Sequence, residues 1–428
     1  MSIEVSIIMP CLNEAETIGT CILKAQSWLQ RSGVSGEIIV GDNGSTDGSQ
    51  EIARKLGARV VDIPQRGYGI ALHEASLAAR GSFCIMGDSD DSYDFSDLDM
   101  FLIKLRQGYD LVMGNRFLGG VKPGAMPWKN RYIGNPVLSA IGRFLFKAPA
   151  RDFHCGLRGY SKEALQKMDL RTTGMEYASE MVIKATLLGQ KIAEVPTTLS
   201  PDGRTRPPHL RPYRDGWRHL RFMLIFSPNW LFLYPGLILM AVGLLAGGVL
   251  LGQPIRLHGL RFSVDTLIYC SAMVATGFQA VLFAILSRSF AVQEGLYPRK
   301  KTALFIPTLI SLEKWLIAGA AAFIAGMFLA FYALHIWQQA GFGELQTEII
   351  ARIVVTSSLA IMLGLETVFS GFFLSTLQFG VRHYPSSATA EGLESARIDL
   401  NGNMDEAGGA AYARGGGELM EVCPPAAK

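Results

Sequence analysis

The sequence predicts a parallel α/β domain followed by a domain of four transmembrane helices, and three observations carry that expectation. Short β-rich and helical runs alternate from Val5 to Gly114. The closely spaced carboxylates Asp88-Ser89-Asp90-Asp91 directly follow the apolar run Phe83-Cys84-Ile85-Met86. Beyond Arg221 the chain holds four apolar stretches of membrane length. Alternation of this kind argues a parallel sheet whose ligands sit at the carboxyl ends of the strands.

The β-rich runs are Val5 to Met9, Glu37 to Val40, Arg59 to Ile63, Ser82 to Met86 and Asp110 to Met113, with helix-like segments beginning near Glu14, Asp47, Gly69 and Ser96. After Asn115 the pattern loosens. Tyr132 to Phe146 is apolar with isolated basic residues, as expected of a helix on a membrane surface or one packed on the sheet. Ser200 to Arg221 is rich in Arg, Pro and His and leads without a linker into the first apolar stretch.

Over the 428 residues the hydrophobic fraction is 49% and the charged fraction 18%, a skew toward the membrane class. No Asp, Glu, Lys or Arg lies between Arg221 and Arg256, from Thr266 to Ser287, or from Trp315 to Gly343. A fourth stretch, Ile349 to Leu377, is apolar except for Arg352 and Glu366. About 20 apolar residues cross the hydrocarbon core as a helix, so each stretch is long enough to span. The loop with Arg299, Lys300 and Lys301 is expected on the cytoplasmic side. Gln338 to Glu348, without Lys or Arg, is expected outside with Gln253 to Asp265, although the latter carries Arg256 and Arg261. Both termini then face the cytoplasm. Mid-span Glu366 is expected to pair with a polar neighbour or to line a path for a lipid.

Ser2 to Ser6 leads straight into a strand-like run, with no pattern of a signal peptide. The six cysteines show no C-x-x-C pairing and read as reduced thiols, and the scattered histidines form no zinc pattern. A net charge of +3 is too small to imply nucleic-acid binding, and none is expected.

Asp88 and Asp90 can share one hard cation with a diphosphate, since ions of the magnesium class take oxygen ligands and share them with substrate phosphates. The plainer reading is an acidic turn that caps the next helix. Asp42, within Gly41-Asp42-Asn43-Gly44-Ser45-Thr46-Asp47-Gly48, either makes turn hydrogen bonds or accepts one from a nucleobase or ribose. In Gln65-Arg66-Gly67-Tyr68-Gly69, glycine permits close approach to a ligand and Arg66 can pair with a phosphate.

The ordered series I-I-M-P-C-L-N-E, G-D-N-G-S-T-D-G-S, R-G-Y-G-I-A and G-D-S-D-D resembles the family 2 glycosyltransferases of GT-A fold. Within them it is similar to the dolichyl-phosphate mannose synthase and bacterial polyprenyl-phosphate glycosyltransferase group. G-N-R-F with Arg116, R-D-F-H-C-G-L-R-G-Y with Asp152 and Arg158, and E-Y-A-S-E-M with Glu180 extend the likeness over residues 3 to 200. The resemblance implies a Rossmann-like nucleotide-sugar-binding domain. Pro10, Asn13, Glu14, Asp42, Arg66, Gly67 and Asp88 would hold the nucleotide sugar, and Asp88 and Asp90 would hold Mg²⁺ or Mn²⁺. Asp90, Arg116 and Glu180 would serve catalysis. Arg158, Arg204 and Arg206 would meet the acceptor phosphate. The last two stand in Asp202-Gly203-Arg204-Thr205-Arg206, which lacks the family's Ser-Lys ending. Arg204 and Arg206 equally fit general attraction to anionic headgroups, as do Arg211, Arg214, Arg218 and Arg221. Glu180 equally fits a carboxylate at a helix N-terminus.

The expected organisation is a cytoplasmic catalytic domain over 1–212, a basic juxtamembrane helix over 213–229, four spans within 230–380 (about 230–252, 266–288, 315–337 and 350–377), and a disordered tail over 381–428. The expected activity is inverting transfer of a hexose from UDP-glucose or GDP-mannose to a polyprenyl phosphate at the cytoplasmic membrane, in a chain free to form a homo-oligomer. The rivals are a non-catalytic nucleotide-sugar-binding membrane protein and transfer to another membrane acceptor. No Q-x-x-R-W motif of a processive polysaccharide synthase is present.

Overall fold

The structure is a computed structural model that describes residues 3–205, 212–252, 254–258, 260–294, 297, 311–343 and 347–378. Arg206 and the tail over 381–428 lie outside the described residues. The first half runs β1 (Val5–Cys11), α1 (Ile18–Ser32), β2 (Gly36–Asp42), α2 (Ser49–Lys55), β3 (Arg59–Asp62), α3 (Tyr68–Ala78), β4 (Phe83–Met86), α4 (Asp99–Arg106) and β5 (Leu111–Asn115). There follow α5 (Arg116–Gly119), α6 (Asn135–Phe146), β6 (Arg158–Ser161), α7 (Lys162–Met168), α8 (Tyr177–Leu188) and β7 (Ile192–Pro196).

These strands form a seven-stranded sheet in the order β3-β2-β1-β4-β6-β5-β7. The parallel expectation holds for β1 with β2 and β4, β2 with β3, and β5 with β7. β6 departs from it, running antiparallel between β4 and β5. Its residues Arg-Gly-Tyr-Ser carry no run of β-branched side chains, so the short strand leaves little trace in sequence.

Side chains on a strand alternate between faces, and the buried residues follow that period. Ile7 and Met9 of β1 enter one core with Ile18, Ile22 and Trp28 of α1. Ile8 enters the other with Leu72 and Ala75 of α3 and Met181 of α8. Truncating any one of these large aliphatics to Ala is expected to cost about 2–5 kcal/mol through lost burial and the cavity left behind. Because both faces are packed, only the ends of the strands remain for chemistry.

The second half begins with α9 (Pro212–Ile225), an amphipathic helix on the α/β domain whose Met223 and Phe226 neighbourhood joins the second core. A π-helical turn, Asn229–Leu233, leads into α10 (Tyr234–Gly252). A hairpin of β8 (Ile255–Leu257) and β9 (Leu260–Phe262) precedes α11 (Val264–Gln293), α12 (Leu312–Gln339) and α13 (Thr347–Gln378). Among the described residues, four helical segments, Asn229–Gly252, Val264–Gln293, Leu312–Gln339 and Glu348–Leu377, are long and apolar enough to cross a membrane. They contain the four expected spans, and the second runs on beyond residue 288.

α10 packs on α11, α11 on α13, and α13 on α12. Small residues bring the backbones together in each outer pair. A Cβ added at Gly277 would lie 2.6 Å from the Gly236 carbonyl, and one added at Gly364 would lie 2.7 Å from the Gly319 carbonyl. Arg288 Nη1 of α11 donates to Asn229 Oδ1 at 3.4 Å, and the Tyr297 hydroxyl, beyond the end of α11, donates to the Phe226 carbonyl just past α9. Glu366 shows no hydrogen-bond partner for Oε2 among the described residues.

Candidate active site at the carboxyl ends of the strands

β1, β2 and β4 end at one edge of the sheet. Such an edge of an open α/β sheet is where ligand crevices form. There the chain forms a cleft of 630 Å³, walled by Pro10 and Cys11 at the end of β1, Leu12 and Glu14 just past it, Asn43 after β2, Arg66 to Tyr68 after β3, and Asp88 to Asp90 after β4. Thr173 to Met175 ahead of α8, Arg204, and Arg214, Asp215 and Arg218 of α9 complete it.

The acidic tetrad divides its work. Asp88 Oδ1 accepts from the Tyr68 hydroxyl at 2.8 Å. Asp90 Oδ1 accepts from the Ser92 backbone N–H at 3.1 Å and its hydroxyl at 2.6 Å. Asp91 has a left-handed φ of 61° and turns away to Lys24 of α1, whose Nζ lies 2.7 Å from its Oδ1. Burial first, and the charge of Asp90 second, push the Asp88 carboxyl up to about 6, against the opposing influence of Tyr68, Arg204 and Arg116. Burial and the neighbouring Asp88 raise the Tyr68 hydroxyl well above its usual range, so it stays protonated as a donor.

Two crowded carboxylates suit a divalent cation, which removes the repulsion between them. The donors are oxygens, in keeping with an ion of the magnesium class. Among the described residues no cluster of three or more His, Cys, Asp or Glu side chains assembles a complete ligand set, so the remaining positions would fall to substrate phosphates and water.

Arg204 occupies the cationic role within the protein itself. Its Nη2 lies 2.5 Å from Asp90 Oδ2 and its Nη1 3.0 Å from Glu14 Oε1, with the guanidinium side chain 10% exposed. Its neighbours fasten the segment in place: the Gly203 N–H donates to the Asp90 carbonyl at 2.9 Å, and the Thr205 N–H and hydroxyl donate to Glu16 at 2.7 and 2.6 Å.

On the β2 side, Asn43 Oδ1 accepts from the Gly67 N–H at 2.9 Å and its Nδ2 donates to the Gln65 carbonyl at 3.0 Å, shaping the Arg66 loop. Gly67 has φ 152°, and a Cβ there would strike the Thr173 carbonyl, so this approach of two cleft walls requires glycine. Asp42 and Asn13 stand behind the wall. Asp42 Oδ2 takes the Gly44 and Ser45 N–H groups, each at 2.9 Å, while its buried Oδ1 has no hydrogen-bond partner among the described residues. Asn13, at φ 59°, accepts from the Thr46 N–H at 2.8 Å.

Of the expected site residues, Pro10, Glu14, Arg66, Gly67, Asp88, Asp90 and Arg204 meet at the cleft. Asn13 and Asp42 stand behind its wall, and Arg116, Arg158 and Glu180 are held elsewhere, for reasons their surroundings give. Arg116 is buried in a bidentate pair with Asp152, through Nε at 2.7 Å and Nη2 at 2.8 Å, and influences the cleft by its charge. Arg158 is fully buried and donates to the carbonyls of Cys155, Phe153 and Ala178, leaving no face for an acceptor phosphate. Glu180 is fully buried, accepts from the Thr172 N–H and hydroxyl at 2.8 and 2.6 Å, and pairs with Lys184 at 2.9 Å. It fastens the Arg171–Thr172 turn.

Tyr68, Asn43, Arg214 and Arg218 were not expected at the site. Tyr68 stands within the Arg-Gly-Tyr-Gly motif that pointed to this loop. The two arginines were legible only as part of a basic segment.

Residues 6–169 match glycosyl transferase family 2, and residues 285–378 match the glycosyltransferase family 2 C-terminal transmembrane region. The low-salt glycan biosynthesis hexosyltransferase Agl6 of Haloferax volcanii is 36% identical over 375 residues, covering 87% of this chain and 88% of that protein. The chain belongs to glycosyltransferase family 2. Another relative of this family 2 glycosyltransferase, the dolichyl-phosphate hexose transferase of the same organism, is 34% identical over 45% of this chain and 81% of its own length. Among solved structures, glucosyl-3-phosphoglycerate synthase from Mycobacterium tuberculosis in complex with phosphoglyceric acid aligns with a TM-score of 0.42 at 24% identity, over 52% of this chain and 80% of that one. The protein is thus a membrane-associated family 2 glycosyltransferase, with hexosyltransferases among its relatives.

Proposed function

We propose that this glycosyltransferase moves a hexose, with inversion, from UDP-glucose or GDP-mannose to a polyprenyl phosphate on the cytoplasmic side of the membrane. The observation that carries the reading is the composition of the cleft wall: paired carboxylates after β4 on one part, and on another a helix that runs directly into the first membrane-length segment. A donor from solution and an acceptor from the lipid phase can reach one place. The dolichyl-phosphate hexose transferase relative supports a lipid phosphate as the acceptor.

The second pKa of a phosphomonoester is about 6, so the acceptor is largely dianionic at neutral pH and needs no strong general base. Its oxygen forms a bond to the anomeric carbon as the bond to the diphosphate oxygen breaks, and the electron pair leaves on the nucleoside diphosphate. Asp88 and Asp90 would hold Mg²⁺ or Mn²⁺, which supplies charge neutralisation to the leaving diphosphate. Glu14 and Asn43 of the cleft wall, with Asp42 behind it, would meet the nucleoside side. Arg66, on the cleft wall, would meet a phosphate, and buried Arg116 would add a fixed positive field. In this reading the catalytic domain extends to about residue 212, the juxtamembrane helix follows, and the four spans carry the anchor.

The test is transfer from labelled UDP and GDP sugars to undecaprenyl phosphate by the purified full chain with Mg²⁺ or Mn²⁺. A lipid-extractable product that vanishes in Asp90→Asn is expected. Metal-dependent donor binding without product from any lipid phosphate would overturn the reading in favour of a non-catalytic role.

A further inference from the structure

α9 presents three faces, and they divide by helical spacing. Asp215, His219 and Met223 are buried against the α/β domain. Tyr213, Trp217, Arg221 and Ile225, each four residues from the next, form an exposed stripe, with Tyr213 81% and Trp217 58% exposed. Tyr and Trp beside a basic residue are the composition that settles at the headgroup layer of a membrane. One residue further round the helix stand Arg214 and Arg218, which line the cleft. α9 ends at Ile225 and leads, through Ser227 and Pro228, into the Asn229–Gly252 membrane-length segment, so its stripe and its two cleft-lining arginines stand next to that segment in the chain.

The cleft is built to hold Arg218. Its Nη2 lies 2.9 Å from Glu176 Oε2. A Cβ at Gly174 would collide with that guanidinium and come within 2.7 Å of the same carboxylate oxygen, so the bare glycine leaves the space that the pair fills. Arg214 Nε lies 3.4 Å from Asp215 Oδ1. These carboxylates orient the two groups and engage only part of the five N–H donors each carries, leaving others for a phosphate.

We propose that Arg214 and Arg218 form the subsite for the acceptor's phosphate, a phosphomonoester on a lipid, in place of the buried Arg158 and the carboxylate-bound Arg204. The proposal deepens the lipid-phosphate reading above and rests on it only for the transfer step, since the subsite is tested by binding alone.

The experiment uses the full chain in nanodiscs, with Arg214→Gln, Arg218→Gln and, on the exposed stripe, Arg221→Gln. Binding of dodecyl phosphate and of inorganic phosphate is measured by calorimetry, UDP binding is measured in parallel, and the KM for undecaprenyl phosphate is measured where transfer occurs. The expected result is an affinity for dodecyl phosphate at least tenfold weaker in the first two variants, little changed in Arg221→Gln, with UDP binding intact. Weaker binding of inorganic phosphate than of dodecyl phosphate by the parent protein is expected for a lipid-borne group, and the reverse order would overturn that source. Gly174→Ala, which displaces Arg218 without removing charge, is expected to weaken dodecyl phosphate binding as well. Equal losses in all three arginine variants would reduce the effect to headgroup attraction and overturn the proposal, as would no loss in any. A parallel fall in UDP binding would assign the arginines to the donor and overturn it too. Arginine-dependent binding without transfer would instead count against the lipid-phosphate reading and leave the subsite standing.

Discussion

Arg204→Gln is expected to tighten divalent-cation binding. In the structure the guanidinium holds Asp90 Oδ2 at 2.5 Å and Glu14 Oε1 at 3.0 Å from a site only 10% exposed, so solvent screens it little. A cation taking Asp90 must displace the first of these contacts. Hydrogen bonds to charged groups contribute a net of about 1.5–3 kcal/mol, so removing this competitor should raise metal affinity roughly 10- to 100-fold. The assay is titration of Mn²⁺ into the full chain without nucleotide, reading free Mn²⁺ by electron paramagnetic resonance, with Asp90→Asn as the variant that should lose the site. Gln keeps most of the volume and removes the charge. Unchanged or weaker Mn²⁺ binding in Arg204→Gln would refute the reasoning, because Arg204 would then be supporting the site instead of standing in its place. The same substitution leaves Glu14 and Asp90 without their partner, so a lower melting temperature for the metal-free protein, recovered by Mn²⁺, is expected alongside.

Glu180→Gln is expected to destabilise the α/β domain by about 3–5 kcal/mol, since it strands the buried Lys184 charge, while the folded fraction keeps its KM for donor; thermal unfolding and initial-rate kinetics on the same sample separate the two effects. His219 is held down to about 4 by burial, and its Nδ1 lies 2.9 Å from Ser179 Oγ. A depressed folded value means that its contribution is present above the unfolded value of 6.5 and is lost as pH falls from there toward 4, about 3 kcal/mol in all. A melting-temperature profile over pH 7 to 4 should therefore flatten in His219→Asn, and an unchanged slope would contradict this. Gly364→Val should open the α12–α13 pair and cost about 1–3 kcal/mol by overpacking, read as a lower melting temperature in detergent, whereas Phe369→Val on the exposed side should be nearly silent.

The sheet and the edge that carries the cleft were legible because their signals are local. Ile7, Ile8 and Met9 announce β1 by composition, and the residues that follow each strand necessarily emerge at one edge. What sequence did not reveal was pairing across distance. Arg116 and Asp152 are 36 residues apart, and Arg204 and Glu14 are 190 apart, so whether each arginine faces a substrate or a carboxylate depended on the folded chain. Arg158 stands on the inserted antiparallel β6, where backbone carbonyls consume its donors. Arg214 and Arg218 were visible as charge, but only the rotation of α9 separates them from Arg221. Spans were read correctly in number because length and the absence of charge suffice for that, and neither reveals which helices are neighbours.

The glycine contacts in the membrane half have an evolutionary consequence. Where Gly236 faces Gly277 and Gly319 faces Gly364, backbone meets backbone, and any larger residue must pry the helices apart. The lipid-facing positions, Leu245, Ile324, Phe328 and Phe369 among them, ask only for an oily side chain. A saturation scan of this half should return two narrow seams of intolerance in an otherwise permissive surface. Lineages carrying the enzyme into bilayers of different thickness or fluidity are then free to rewrite nearly all of its membrane-exposed sequence while those few glycines stay put.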